Sequence, residues 1–186
     1  MNSEIKTISK MENKTRTEVI LNVMNVLAWI AFIGLLIESG AILFTYIMSC
    51  INQETSMDLY KGLDMFDLRS KDFWMYTQSV SFLIAIPAMK AYLVYLLIKI
   101  FSKIKLMNPF KMEIALTIEK ISYVLFGIWI VSILSSVNSK WMLKWTGEYF
   151  GNGILNEYLF MAGLVFIISQ IFKRGVELQS ENELTV

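Results

Sequence analysis

YLFMAGLVFIISQIFKRGVELQSENELTV, from Tyr158 to Val186, carries no charge between Tyr158 and Phe172, turns basic at Lys173 and Arg174, and becomes polar and acid-rich after Gly175. About 20 predominantly apolar residues cross ~30 Å of hydrocarbon as a helix at ~1.5 Å per residue, and Ile154 and Leu155 extend the run toward that length. The stretch therefore reads as a membrane helix with a cationic end and a soluble tail. Lys and Arg are retained on the cytoplasmic side, which places Lys173 and Arg174 there. Taken alone, the run would also suit a buried helix of a soluble protein. Three further stretches like it in the same chain favour the membrane.

Composition agrees. Of 186 residues, 55% are hydrophobic and 13% aromatic, with a mean hydropathy of +0.52, an apolar share above that of ordinary soluble domains. The 17 basic and 16 acidic residues nearly cancel, so bulk charge does not indicate direct nucleic-acid binding. One cysteine, Cys50, excludes an internal disulfide and a cysteine metal cluster. With no histidine, neither His-ligated zinc nor a His general base is possible. No phosphate-binding glycine loop, nucleophile elbow, HExxH or CxxC pattern occurs. Neither an enzyme nor a cofactor is expected.

In chain order, Met1 to Glu18 alternates Lys6, Lys10, Lys14 and Arg16 with Glu4, Glu12 and Glu18, and has no apolar core of a cleaved signal. The first membrane helix is predicted over 19–51. Gly34 and Gly40 in it offer small surfaces where another helix could approach. The segment 52–79 mixes apolar and charged residues and predicts short amphipathic structure on the outer surface, with Trp74 and Tyr76 at the interface. A second helix follows over 80–101, with Pro87 interrupting its backbone ladder. At Asn108–Pro109 the missing proline N–H suits a first helical position and Asn108 can cap it, giving a third helix over 109–137. The loop 138–153 carries Trp141, Trp145, Tyr149 and Phe150, and the fourth helix spans 154–174 ahead of a tail at 175–186.

Inner segments hold Lys6, Lys10, Lys14, Arg16, Lys99, Lys103, Lys105, Lys111, Lys120, Lys173 and Arg174, whereas outer loops hold Lys61, Arg69, Lys71, Lys140 and Lys144. The predicted fold is therefore all-α: an integral membrane four-helix antiparallel bundle with both termini cytoplasmic, multi-pass in a bacterial inner membrane.

The turn Asn108, Pro109, Phe110 followed by Glu113, together with FKRGVELQSENELTV from Phe172 to Val186, resembles domain-of-unknown-function family 2975, a set of small bacterial four-helix membrane proteins. The helix plan is similar over essentially the whole chain. Lys111 stands where relatives often carry Ser or Thr, so a capping box lacks its hydroxyl. The resemblance implies no enzymatic activity. Members are often encoded beside a very small helix-turn-helix regulator, which suggests a cytoplasmic DNA-binding protein as partner. The candidate interaction surface comprises Asn108, Pro109, Phe110, Glu113, Lys173, Arg174, Gly175, Glu177, Leu178, Glu181 and Asn182.

Glu38 and Lys90 stand apart as charges within apolar helices. Each costs about 2.5–3.5 kcal/mol to insert, so such residues face a bundle interior and find partners. A structural ion pair between them is expected, with a proton or ion pathway as the functional alternative. A further alternative is an immunity-type protein that intercepts a membrane-active peptide through the aromatic stretches 73–76 and 141–150.

Overall fold

In a computed structural model, which describes residues 16–103, 111–147 and 153–184, every regular element is helical. Helix α1 spans Arg16–Ile51, a 3-10 helix spans Gln53–Asp58, and α2 is the short helix Phe66–Lys71. Helices α3, α4 and α5 span Phe73–Lys103, Met112–Thr146 and Asn156–Leu184. Four of these, α1, α3, α4 and α5, are long and apolar enough to cross a membrane. Hydrocarbon offers no water to a free N–H or C=O, so a segment of this composition satisfies its backbone as continuous helix.

The helices outrun the apolar stretches that announce them. Helix α3 starts at Phe73, not near Val80, because Asp72 caps it: its Oδ1 accepts from the N–H groups of Trp74 and Met75 at 2.8 and 3.1 Å. Helix α4 runs past Val137 to Thr146, where Gly147 at φ 79 ends it and donates its N–H to the Leu143 carbonyl at 3.0 Å. Polarity at Asn138 and Ser139 suggests a loop, yet both are buried. Asn138 Nδ2 donates to Ser79 Oγ of α3 at 3.0 Å, and Ser139 Oγ donates to the Ser135 carbonyl at 2.9 Å. Helix α5 likewise passes Arg174 and Gly175 and stays helical to Leu184. The N-cap of α4, Lys111, supplies no side-chain cap; Asn108 and Pro109, the expected cap and first position, lie outside the described residues.

Packing follows chain order, α1 on α3, α3 on α4 and α4 on α5. The first pair meets through Phe32 and Tyr95, Ser39 and Ile84, Tyr46 and Thr77, and Ser49 and Tyr76. Among the described residues α1 makes no comparable approach to α4 or α5, so the row of helices is not closed into a ring between its first and last members. Gly34 and Gly40 do not receive a neighbouring helix: a Cβ at either would meet nothing within 4 Å. Ser39, between them, makes the contact instead, donating to the Ile84 carbonyl at 3.3 Å.

The segment between α1 and α3 forms short helices as expected, but its apolar side chains face the protein. Leu59, Met65 and Leu68 are buried with Ile42, Tyr76, Val80 and Met142. Tyr76 is therefore no interfacial anchor: it is 0% exposed and shares a 2.6 Å hydrogen bond with Ser49. Trp74, 81% exposed, keeps the outward position. Two acids of this segment serve its backbone. Asp58 accepts from Gly62 N–H at 2.9 Å and Asp64 from Phe66 N–H at 2.8 Å, as short carboxylates do in turns. No group of acids among the described residues is placed to hold a metal ion. Between Tyr60 and Leu63 the chain reverses with Lys61 at φ 51 and Gly62 at φ 81, a left-handed pair that glycine occupies freely and lysine at about 1–2 kcal/mol. Thr45 Oγ1, a turn and a half inside α1, donates to the Leu59 carbonyl at 2.5 Å and ties the reversal to the helix.

If this segment is core, Leu68→Ala should lower stability by roughly 2–5 kcal/mol and open Lys61 and Arg69 to trypsin, whereas exposed Met57→Ala should do neither. Thermal unfolding and limited proteolysis in nanodiscs would decide; an unchanged midpoint for Leu68→Ala would place the segment outside the core.

Candidate functional site: a charged cavity and a charged helix end

Glu38 and Lys90 line one cavity of about 200 Å³ between α1, the Tyr60–Leu63 turn and α3. Leu35 and Ile42 of α1 wall one side, Leu83, Ile86 and Pro87 of α3 the other, and Tyr60 and Leu63 complete the lining. The structure brings the two charges to the same space but forms no ion pair between them; the ion pairs it does form among the described residues join other partners. Lys90 instead sets its Nζ 5.5 Å from the centre of the Tyr158 ring of α5, within reach of a cation–π attraction. Pro87, inside α3, has no N–H to return to the residue four positions back. The carbonyl so deprived is that of Leu83, itself part of the cavity wall.

The second charged locus lies where α3 ends, α4 begins and α5 becomes polar. Lys103, in the last turn of α3, donates to Glu113 in the first turn of α4. Further along α4, Glu119 Oε1 accepts from Lys173 Nζ of α5 at 2.7 Å and from Gln170 Nε2 at 3.3 Å. This pair is the better protected, with side chains 25% and 16% exposed against 41% and 56% for Lys103 and Glu113. Arg174 spends its charge within α5, donating to Glu177 at 2.8 Å.

Of the expected interaction surface, Glu113, Lys173, Arg174, Gly175, Glu177, Leu178 and Glu181 fall at this end, on α4 and α5. Leu178, Glu177 and Glu181 are exposed, while Gly175 is half-buried. Asn108, Pro109 and Phe110 lie outside the described residues, as does the side chain of Asn182. Glu119 was not among the expected surface residues, although its signal was available: an acid two turns into an apolar helix, with the next helix turning basic at Lys173. Sequence reasoning could not find Tyr60, Leu63 or Tyr158, ordinary apolar or aromatic residues that matter here only by where the chain folds back.

Because the Glu119–Lys173 pair is the better protected and Glu119 Oε1 also accepts from Gln170, Glu119→Ala should lower the thermal midpoint more than Glu113→Ala at the exposed pair does. Exchanging Glu119 and Lys173 should recover part of the loss in a double-mutant cycle. Equal effects at the two acids would contradict this ranking.

A family model described as "Protein of unknown function (DUF2975)" matches residues 73–186, the whole of α3, α4 and α5. Helix α1 and the segment after it, and with them Glu38, precede the matched stretch. No curated protein and no solved structure matches the chain. Since the match takes in more than half of its length, including both Glu113 and the charged end of α5, the chain belongs to the DUF2975 family.

Proposed function

We propose that this protein is a non-enzymatic, multi-pass component of the bacterial cell membrane whose inner face binds a cytoplasmic protein such as a small helix-turn-helix regulator. The observation that carries the proposal is the Lys173–Glu119 pair. It sets the charged end of α5 beside the first turns of α4, so that Glu113 and the described residues 172–184 share one end of the molecule. In this reading the four long helices form an antiparallel bundle with both termini inside. Support comes from the contacts of α1 with α3, where rising numbers on one helix meet falling numbers on the other. It comes also from the cations Arg16, Lys99, Lys103, Lys111, Lys173 and Arg174, which this arrangement collects on the cytoplasmic side.

The surface offered to a partner is the last turns of α5, with Leu178 exposed between the acids Glu177 and Glu181. An apolar anchor flanked by carboxylates suits a partner with a basic face, and DNA-binding proteins carry one. Exposed acids of this kind set orientation and association rate, while the apolar contact supplies more of the affinity.

Crosslinking in the native membrane tests the reading. Deleting Gly175–Val186, or changing Leu178→Lys alone, should remove a cytoplasmic protein from the recovered partners while moving the core's stability by less than about 1 kcal/mol. Partners unchanged by both alterations would overturn it. Peptide sensitivity that rises only after changes at Phe73, Trp74 or Trp141 would favour the immunity-type alternative.

A further inference from the structure

We propose that the cavity lined by Glu38 and Lys90 binds a small free zwitterion of the amino-acid class, its carboxylate on the Lys90 ammonium and its primary ammonium on the Glu38 carboxylate. The inference does not depend on the inner-face reading.

Four observations converge on it. Two opposite charges within apolar helices line the same space without meeting, although direct pairing is the ordinary relief for such groups. Pro87, itself on the cavity wall, interrupts the backbone ladder of α3 between Leu83 and Lys90. The Tyr158 ring attracts Lys90 by its face, and a ring face holds a cation without occupying its N–H donors as an acceptor would. The volume, about 200 Å³, exceeds what a single bridging water needs, since water takes about 30 Å³ in the liquid.

The charges select the ligand. A lone anion would satisfy Lys90 and leave Glu38 uncompensated, a lone cation the reverse, and a half-buried charge left unpartnered within an apolar helix is unfavourable. A zwitterion neutralises both, and apolar walls from Leu35, Ile42 and Ile86 receive an apolar side chain. A lipid headgroup carries related charges but resides at the helix ends. Glu38 lies about 20 Å along α1 from its end at Ile51, at ~1.5 Å per residue. Between that end and the cavity stands the Tyr60–Leu63 turn, with Tyr60 and Leu63 half-buried and the chain beside it held to α1 by the Thr45–Leu59 hydrogen bond. The proposal therefore commits to a free solute.

The test uses the full chain in phosphatidylglycerol nanodiscs, which present no ammonium, titrated with glycine, alanine and leucine and, as controls, with acetate and ethylamine. At least one amino acid should raise the thermal midpoint and give a calorimetric isotherm, and neither control should. Glu38→Gln and Lys90→Met should each weaken that binding by roughly 30-fold or more. Leu63→Trp keeps both charges and fills the space, so it should abolish binding in a folded protein, which guards against misfolding of the charge variants. No response to any of the amino acids, a response to acetate alone, or one that survives Leu63→Trp would overturn the proposal. So would a response that appears only when phosphatidylethanolamine is added to the discs.

Discussion

A peptide group in hydrocarbon has no partner except another peptide group, and the rest of this structure depends on that constraint. It explains why the four long helices continue beyond the apolar runs that mark them, since a helix stops where something else satisfies its ends rather than where hydropathy falls. At Asp72 a carboxylate supplies the amide partners of α3. At Gly147 a left-handed residue turns its N–H back to Leu143. Pro87 is the exception inside a helix, and both it and Leu83, the residue it deprives of a donor, line the charged cavity.

Packing is dominated by α3, which contacts α1 on one side and α4 on the other. Polar residues hold its contacts as much as apolar ones do: Ser79 accepts from Asn138 and donates to Met142 Sδ at 2.9 Å, and Tyr76 closes on Ser49. Hydrogen bonds of this sort are worth about 0.6–2 kcal/mol each between helices in lipid. They have directional preferences that leucine lacks, so they fix register where apolar side chains alone would allow sliding. Helix α3 also carries both charged loci, Lys90 at the cavity and Lys103 at its end. The cavity joins the family-matched α3 to elements that precede the match, α1 and the Tyr60–Leu63 turn. A solute bound there would act on that junction.

The described charges sort by what compensates them. Asp58, Asp64 and Asp72 accept from backbone amides, and Glu113, Glu119 and Glu177 accept from cations. Arg69 lies over the faces of Phe73 and Tyr76, 4.4 and 5.9 Å from their centres. Lys90 likewise lies over a ring face, that of Tyr158, whereas Glu38 belongs to none of these groups, and the two are set within apolar helices, where an uncompensated charge is most costly.

The sequence by itself determined the helical class, the number of long apolar helices and the family, because apolar length and charge placement are linear properties that hydrocarbon reads directly. The family was legible in the charged end of α5 and the stretch ending at Glu113, which lie within the matched residues. Glu38 and Lys90 were likewise legible as anomalies. Only the tertiary structure decided that they share a cavity without pairing, since whether two side chains touch depends on the register of α1 against α3 and on the space the intervening turn fills. It also decided that Tyr76, Leu59 and Leu68 are buried, that Asn138 belongs to a helix, and that α5 continues past Gly175. For Tyr76, Leu59, Leu68 and Asn138 a polar or mixed local composition is overridden by a hydrogen bond or an apolar contact from a residue distant in the chain, and composition carries no record of such a neighbour.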